Sequence, residues 1–137
     1  MATSEELNDN VIFPIGELNV AYAQYFVGQS YLKTLVADPD LPVGVGNVTF
    51  EPGCRNNWHI HRGGFQILLV TSGRGWYQEE GKQARALRPG DAVVVPDGVK
   101  HWHGAASDSW FTHLAITAGT PEWLEAVSED VYSLAQS

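Results

Sequence analysis

From Val43 onward, apolar residues come in short runs, and turn-forming clusters break them about every eight to twelve residues. "VGVGNVTF" reads as a strand and "EPGC" (Glu51–Cys54) as a turn. "NWHIH" reads as a short strand, "RGG" (Arg62–Gly64) as a reversal of the chain, and "FQILLVT" (Phe65–Thr71) as a buried strand. "WYQEE" and "QARALR" form a hairpin around Gly81–Lys82. "AVVVP", "HWHGAA" and "WFTHLAIT" (Trp110–Thr117) follow, each after a glycine- or serine-containing turn. Upstream, Glu17–Val36 is rich in aromatic residues and reads as edge strands, with Tyr22, Tyr25 and Tyr31 placed to cover a neighbouring subunit. Only the end of the chain changes period. In "TPEWLEAVSEDVYSLAQ", Trp123, Leu124, Val127, Val131 and Leu134 recur at steps of three and four residues. Thr120 as cap and Pro121 at the first helical position predict a short C-terminal amphipathic helix, with a possible break near Ser128. The pattern predicts an all-β sandwich or barrel: a flexible lead-in over residues 1–16, then one domain over 17–137.

Charge narrows the choice of partners. The net charge is −8 and the eight basic residues are scattered, so neither nucleic acid nor an anionic membrane is an expected partner. Cys54 is the single cysteine, which excludes an internal disulfide. The first ten residues are polar and hold no apolar core of a leader, and no segment reaches membrane-spanning length. A cytoplasmic protein acting on a small molecule is expected.

All five histidines fall between positions 59 and 113. Residues two apart on a strand share a face, so His59 and His61 point the same way, opposite Trp58 and Ile60. Gln66 is on the wrong parity for an unbroken strand, and the Gly63-Gly64 pair is read as the reversal that resets it. His101 follows a second turn and reaches the same space from across the barrel. Three imidazoles and one amide oxygen describe a mononuclear divalent-metal site. Because all four donors are neutral, the ion keeps more of its charge and acts as a stronger Lewis acid than in a site with a carboxylate. His113 shares a face with Phe111, Ala115 and Thr117, and His103 shares parity with His101. Both are candidate catalytic groups for proton transfer, with His113 preferred; the alternative is that they only orient a ligand. Cys54 lacks a basic partner and is read as structural, while Arg55 and Arg62 are read as solvated loop arginines.

Glycines frame these residues as G53-x5-H59-x-H61-x4-Q66-x6-G73 and G90-x5-P96-x-G98-x2-H101. The two stretches resemble the paired motifs of the cupin superfamily, over about residues 40–137. That resemblance implies a double-stranded β-helix (jelly-roll) barrel with metal ligands at His59, His61 and His101, and Gln66 where glutamate is usual. It also implies a homodimer. The second motif ordinarily ends in asparagine; Ala105 stands there. "VTFEPGCRNNWHIH", "PGDAVVVPDGVKHWHGAA" and "EWLEAVSEDVY" resemble cupins associated with carboxymuconolactone decarboxylase and manganese-dependent cupin hydroxynitrile lyases. The spacing from His61 to Gln66 is one residue longer than in the latter. The resemblance implies one divalent ion per chain, manganese first, with zinc, iron or nickel as alternatives, and lyase chemistry on a small organic molecule. A cupin dioxygenase and a non-catalytic ligand-binding or sensor cupin are the other readings.

Overall fold

The computed structural model describes residue 3 and residues 12–136. Most of the lead-in expected over residues 1–16 lies outside that range. Its last residues are held in place: Ile15 is buried, and the Asn47 amide donates to the carbonyls of Phe13 and Pro14 at 3.3 and 2.9 Å.

The strands are β1 (Glu17–Leu18), β2 (Phe26–Val27), β3 (Ser30–Val36), β4 (Gly44–Phe50), β5 (Arg55–Asn56) and β6 (His59–Gly73), then β7 (Gly75–Glu79), β8 (Arg85–Leu87), β9 (Ala92–Val95), β10 (His101–Ala105) and β11 (Phe111–Trp123). A 3-10 turn covers Ala23–Tyr25, and one helix, α1, covers Glu129–Ala135. The described strands form one curled, antiparallel sheet in the order β1-β3-β4-β11-β6-β10-β5-β2, with β9 on β6 and the β7–β8 hairpin on β10. The all-β expectation and the hairpin at Gly81–Lys82 both hold.

Period-2 alternation builds the core. Along β9, Val93 and Val95 face inward while Ala92 and Val94 face out; along β6, Leu68 and Val70 are buried. Phe50, Phe111, Tyr77 and Leu87 belong to the same cluster. Each large apolar side chain buried in this way contributes about 1.5–3 kcal/mol relative to exposure.

The strand map differs from the sequence expectation at two places. First, Arg62–Gly64 does not reverse the chain: β6 runs unbroken from His59 to Gly73. Opposite it, Ala118 pairs with Phe65 and Thr120 with Arg62, so Gly63 and Gly64 together face Gly119 alone. This is a β-bulge, and the extra residue flips the parity. Glycine is required there. Gly63 has φ +76°, and a Cβ on Gly64 would lie 2.2 Å from the Ala118 carbonyl oxygen. Gln66 therefore does join the face of His59 and His61, through a bulge within one strand.

Second, Thr120–Trp123 does not open a helix. These residues extend β11, with Pro121 opposite His61 and Trp123 opposite His59. Trp123 is fixed between two rings, stacked on Tyr25 at 4.7 Å and on His59 at 4.6 Å. The helix begins only after Ser128, whose hydroxyl accepts the Val131 N–H at 3.2 Å. With that phase, Tyr132 and Ala135 are buried and Leu134 is exposed.

Arg55 is buried rather than solvated. Its guanidinium donates to the Val127 carbonyl at 3.0 and 3.3 Å and to Glu129 at 3.0 Å, and lies 4.4 Å from the Tyr132 ring centre. Tyr132 donates its hydroxyl to the Ala105 carbonyl, so α1 is pinned to β5 and β10. Arg62 is exposed and pairs with Glu122 at 3.1 Å.

Candidate metal centre

The site is built where β6 and β10 meet. His59 and His101 are directly opposed in the ladder, which sets their rings side by side with centres 4.1 Å apart. His61, two residues along β6, places its ring 5.1 Å from His59 and 5.3 Å from His101. One nitrogen from each of the three lies within 4.8 Å of the others, and all three residues are buried.

Backbone carbonyls fix where the ring protons sit. A carbonyl only accepts, so His59 Nδ1 donates to Asn57 O at 2.8 Å and His101 Nδ1 donates to Val99 O at 3.0 Å. Burial keeps both rings neutral: it pushes His101 down to about 4 and holds His59 well below 6.5, with neighbouring His101 adding to the effect. A neutral ring that protonates Nδ1 leaves a lone pair on Nε2. The Nε2 of His101 lies 3.4 Å from Gln66 Oε1, which is also an acceptor. Two lone pairs face each other there with no proton between them, and a cation is the group that satisfies both. His61 gives the same indication. Burial lowers its pKa against the opposing influence of Gln66, yet neither of its ring nitrogens has a hydrogen-bond partner among the described residues. Orphaned nitrogens, aligned lone pairs and a donor set of three imidazoles and one amide oxygen fit a divalent transition metal.

The second pair of histidines stands beside this group without joining it. His103 and His113 are buried, with ring centres 4.8 Å apart; His103 is 5.6 Å from His59 and 5.8 Å from His101. Their protons can be assigned in sequence. His113 Nδ1 donates to Leu114 O at 3.2 Å, so its Nε2 accepts. Its partner at 3.1 Å is His103 Nδ1, which must donate. His103 Nε2 is then the acceptor, with the Asn56 amide nitrogen 3.1 Å away. Asn56 is oriented by the His103 backbone N–H, which donates to its Oδ1 at 2.9 Å. Burial pushes His113 down to about 4 and His103 well below 6.5, where His113 is the next contributor.

Both groups face one cavity of about 360 Å³, lined by His59, His61, Gln66, His103 and His113 together with Asn56, Thr117, Trp123 and an apolar wall that includes Leu32, Val36 and Val45. His101 closes the metal group from behind, fully buried. Among the described residues, none that lines the cavity carries a carboxylate or a permanent positive charge. The six residues singled out from the sequence are thus brought together, four in one group and two in the next. Asn56, Asn57, Thr117 and Trp123 complete the surroundings. Of these, the sequence marked only Thr117 as facing the pocket; Asn56 precedes the strand read from the sequence and has the opposite parity to His59 and His61, and Trp123 was assigned to a helix.

A cupin domain model matches residues 46–117, the span from β4 to Thr117 in β11. This chain belongs to the cupin family. It is 43% identical over 115 residues to the (R)-mandelonitrile lyase of Granulicella tundricola, covering 80% of this cupin and 87% of the lyase. A solved cupin-like protein from Thermotoga maritima superposes with a TM-score of 0.85 at 44% identity, covering 90% of this chain and 96% of that one. A predicted oxalate decarboxylase from the same organism superposes with a TM-score of 0.69 at 17% identity, over 82% and 96% of the two chains, a likeness of fold.

Proposed function

We propose that this cupin is a divalent-metal-dependent hydroxynitrile lyase, splitting a 2-hydroxynitrile into a carbonyl compound and hydrogen cyanide, and that manganese is its ion. The observation that carries the reading is a neutral donor set next to a linked histidine pair, in a cavity whose described lining has no carboxylate. The kinship with a mandelonitrile lyase supports it. His59, His61, Gln66 and His101 would hold the ion, and with four neutral donors it would supply electrostatic stabilisation of developing negative charge.

The chain's own residues handle the proton. The substrate hydroxyl gives its proton to Nε2 of His103 in place of the Asn56 contact. The Nδ1 proton of His103 moves to Nε2 of His113. Positive charge then rests on a ring whose Nδ1–H already donates to Leu114 O. As the O–H proton leaves, the C–O bond becomes a carbonyl and the C–C electrons depart with cyanide. The same proton returns through His103 to form hydrogen cyanide. The Leu32, Val36 and Val45 wall holds the apolar substituent of the substrate and keeps water from competing for the anion.

The test uses protein loaded with manganese and racemic mandelonitrile. Release of benzaldehyde above the metal-free control, with one enantiomer consumed first, is the expected result. Elemental analysis of the same preparation should give one ion per chain, and His59→Ala should give none. Full loading with no turnover of this or other aliphatic and aromatic 2-hydroxynitriles overturns the reading and leaves a ligand-binding cupin.

A further inference from the structure

We infer that Thr117 is a positioning residue for the metal: it receives the amide N–H of Gln66 and so keeps the Gln66 oxygen turned toward the ion. The inference rests on the reading of Gln66 as a ligand. A carboxylate presents an oxygen whichever way it is turned. An amide does not, since only Oε1 can ligate and the NH2 on the other side repels a cation. A glutamine in this position therefore needs a device that a glutamate would not need.

The structure contains one. Thr117 on β11 is the direct ladder partner of Gln66 on β6. The bulge at Gly63–Gly64 brings Gln66 onto the cavity face, and Thr117 lies on that same face. Gln66 Nε2 donates to Thr117 Oγ1 at 3.0 Å, while Gln66 Oε1 faces His101 Nε2 at 3.4 Å. The amide is buried, so water cannot readily replace Thr117 as the acceptor. With valine at 117, the NH2 regains a hydrogen bond by turning onto the lone pair of His101 Nε2, which is the atom the ion requires. The amide then occupies the site as a donor and competes with the metal.

The experiment measures manganese(II) and zinc(II) affinity by chelator competition, on chains first shown by circular dichroism and melting to be folded. Thr117→Val should weaken affinity by about 10–100-fold, the usual cost of losing a group that orients a ligand. Thr117→Ser, which keeps the hydroxyl, should stay close to wild type. In a Gln66→Glu background, Thr117→Val should cost much less, because a carboxylate needs no orientation. Gln66→Ala separates the inference from its premise: unchanged affinity there means that Gln66 is not a ligand. If Gln66→Ala weakens binding while Thr117→Val does not, the positioning role is overturned. It is also overturned if Thr117→Ser loses as much as Thr117→Val, or if the valine penalty is as large with glutamate at 66.

Discussion

Acid should begin to unfold the metal-free protein before the carboxylates titrate, and the buried histidines set the midpoint. Burial holds His101 and His113 down to about 4, against 6.5 in the unfolded chain. Between these values the unfolded chain binds a proton at each site and the folded chain does not. Stability is therefore fully present above about pH 6.5 and is lost as the pH falls toward 4. Each such group costs about 1.4 kcal/mol per pH unit, so these two remove about 3 kcal/mol per unit. His59, His61 and His103 are shifted the same way, and five histidines together remove up to about 7 kcal/mol per unit. Against about 5–15 kcal/mol for a domain, the midpoint comes about one to two units below 6.5. Glu79 and Glu125, both lowered from 4.5 mainly by hydrogen bonds to Lys82 and Lys100, also destabilise on acidification, but only near and below that value. Urea unfolding at several pH values between about 7 and 5 gives the slope, which is the number of protons taken up. Replacing His103 and His113 by glutamine should lower it by up to two protons. A flat profile over this range, or a slope unchanged in that variant, refutes the reasoning.

Three further outcomes are expected. His113→Ala should keep its metal while turnover falls about 10²–10⁴-fold, measured as metal content and rate on one preparation; metal loss would make it a support of the ligands instead. Arg55→Met should cost about 1–3 kcal/mol by leaving the buried Val127 carbonyl without its donor, read as a lower melting temperature and faster proteolysis of the C-terminal segment. The chain should run as a homodimer in light scattering at micromolar concentration, since Leu18, Val20 and Tyr22 stay exposed beside the strand edges; a monomer contradicts this. Tyr25 and Tyr31 no longer argue for that dimer, because one stacks on Trp123 and the other donates to Glu51 within the chain.

How much of this was legible in the sequence depends on how far apart the deciding contacts lie. Strand alternation is local, so the shared face of His59 and His61 and the inward face of His113 could be read directly. Gly63-Gly64 announced a parity change, but a reversal and a bulge both flip parity, and only the Ala118–Thr120 register separates them. At the C-terminus, Thr120 and Pro121 present sound helix-start chemistry. It is overridden because Trp123 gains two ring faces as a strand residue that it would lose in a helix. Arg55 reaches Val127 across 72 positions, a distance over which no local pattern speaks.

The candidate site shows the same limit from the other side. Residue type, spacing and motif resemblance marked six polar side chains and separated four candidate ligands from two candidate proton-transfer groups, yet the ring protons that give this separation a physical basis are displayed by no sequence. Asn57, Val99 and Leu114 contribute only backbone oxygens, and any residue type could have supplied them. Those carbonyls nonetheless decide which nitrogen of each ring is free. His59 and His101 are left with unprotonated Nε2 atoms, that of His101 facing Gln66 Oε1, an arrangement that suits a cation. The Nε2 of His113 faces a protonated Nδ1 of His103 instead, an arrangement that suits the proton relay proposed above. Two imidazoles in contact therefore hold a metal or pass a proton according to the carbonyl behind each of them, and exchanging the roles of the two pairs would take a change of backbone path rather than of side chain.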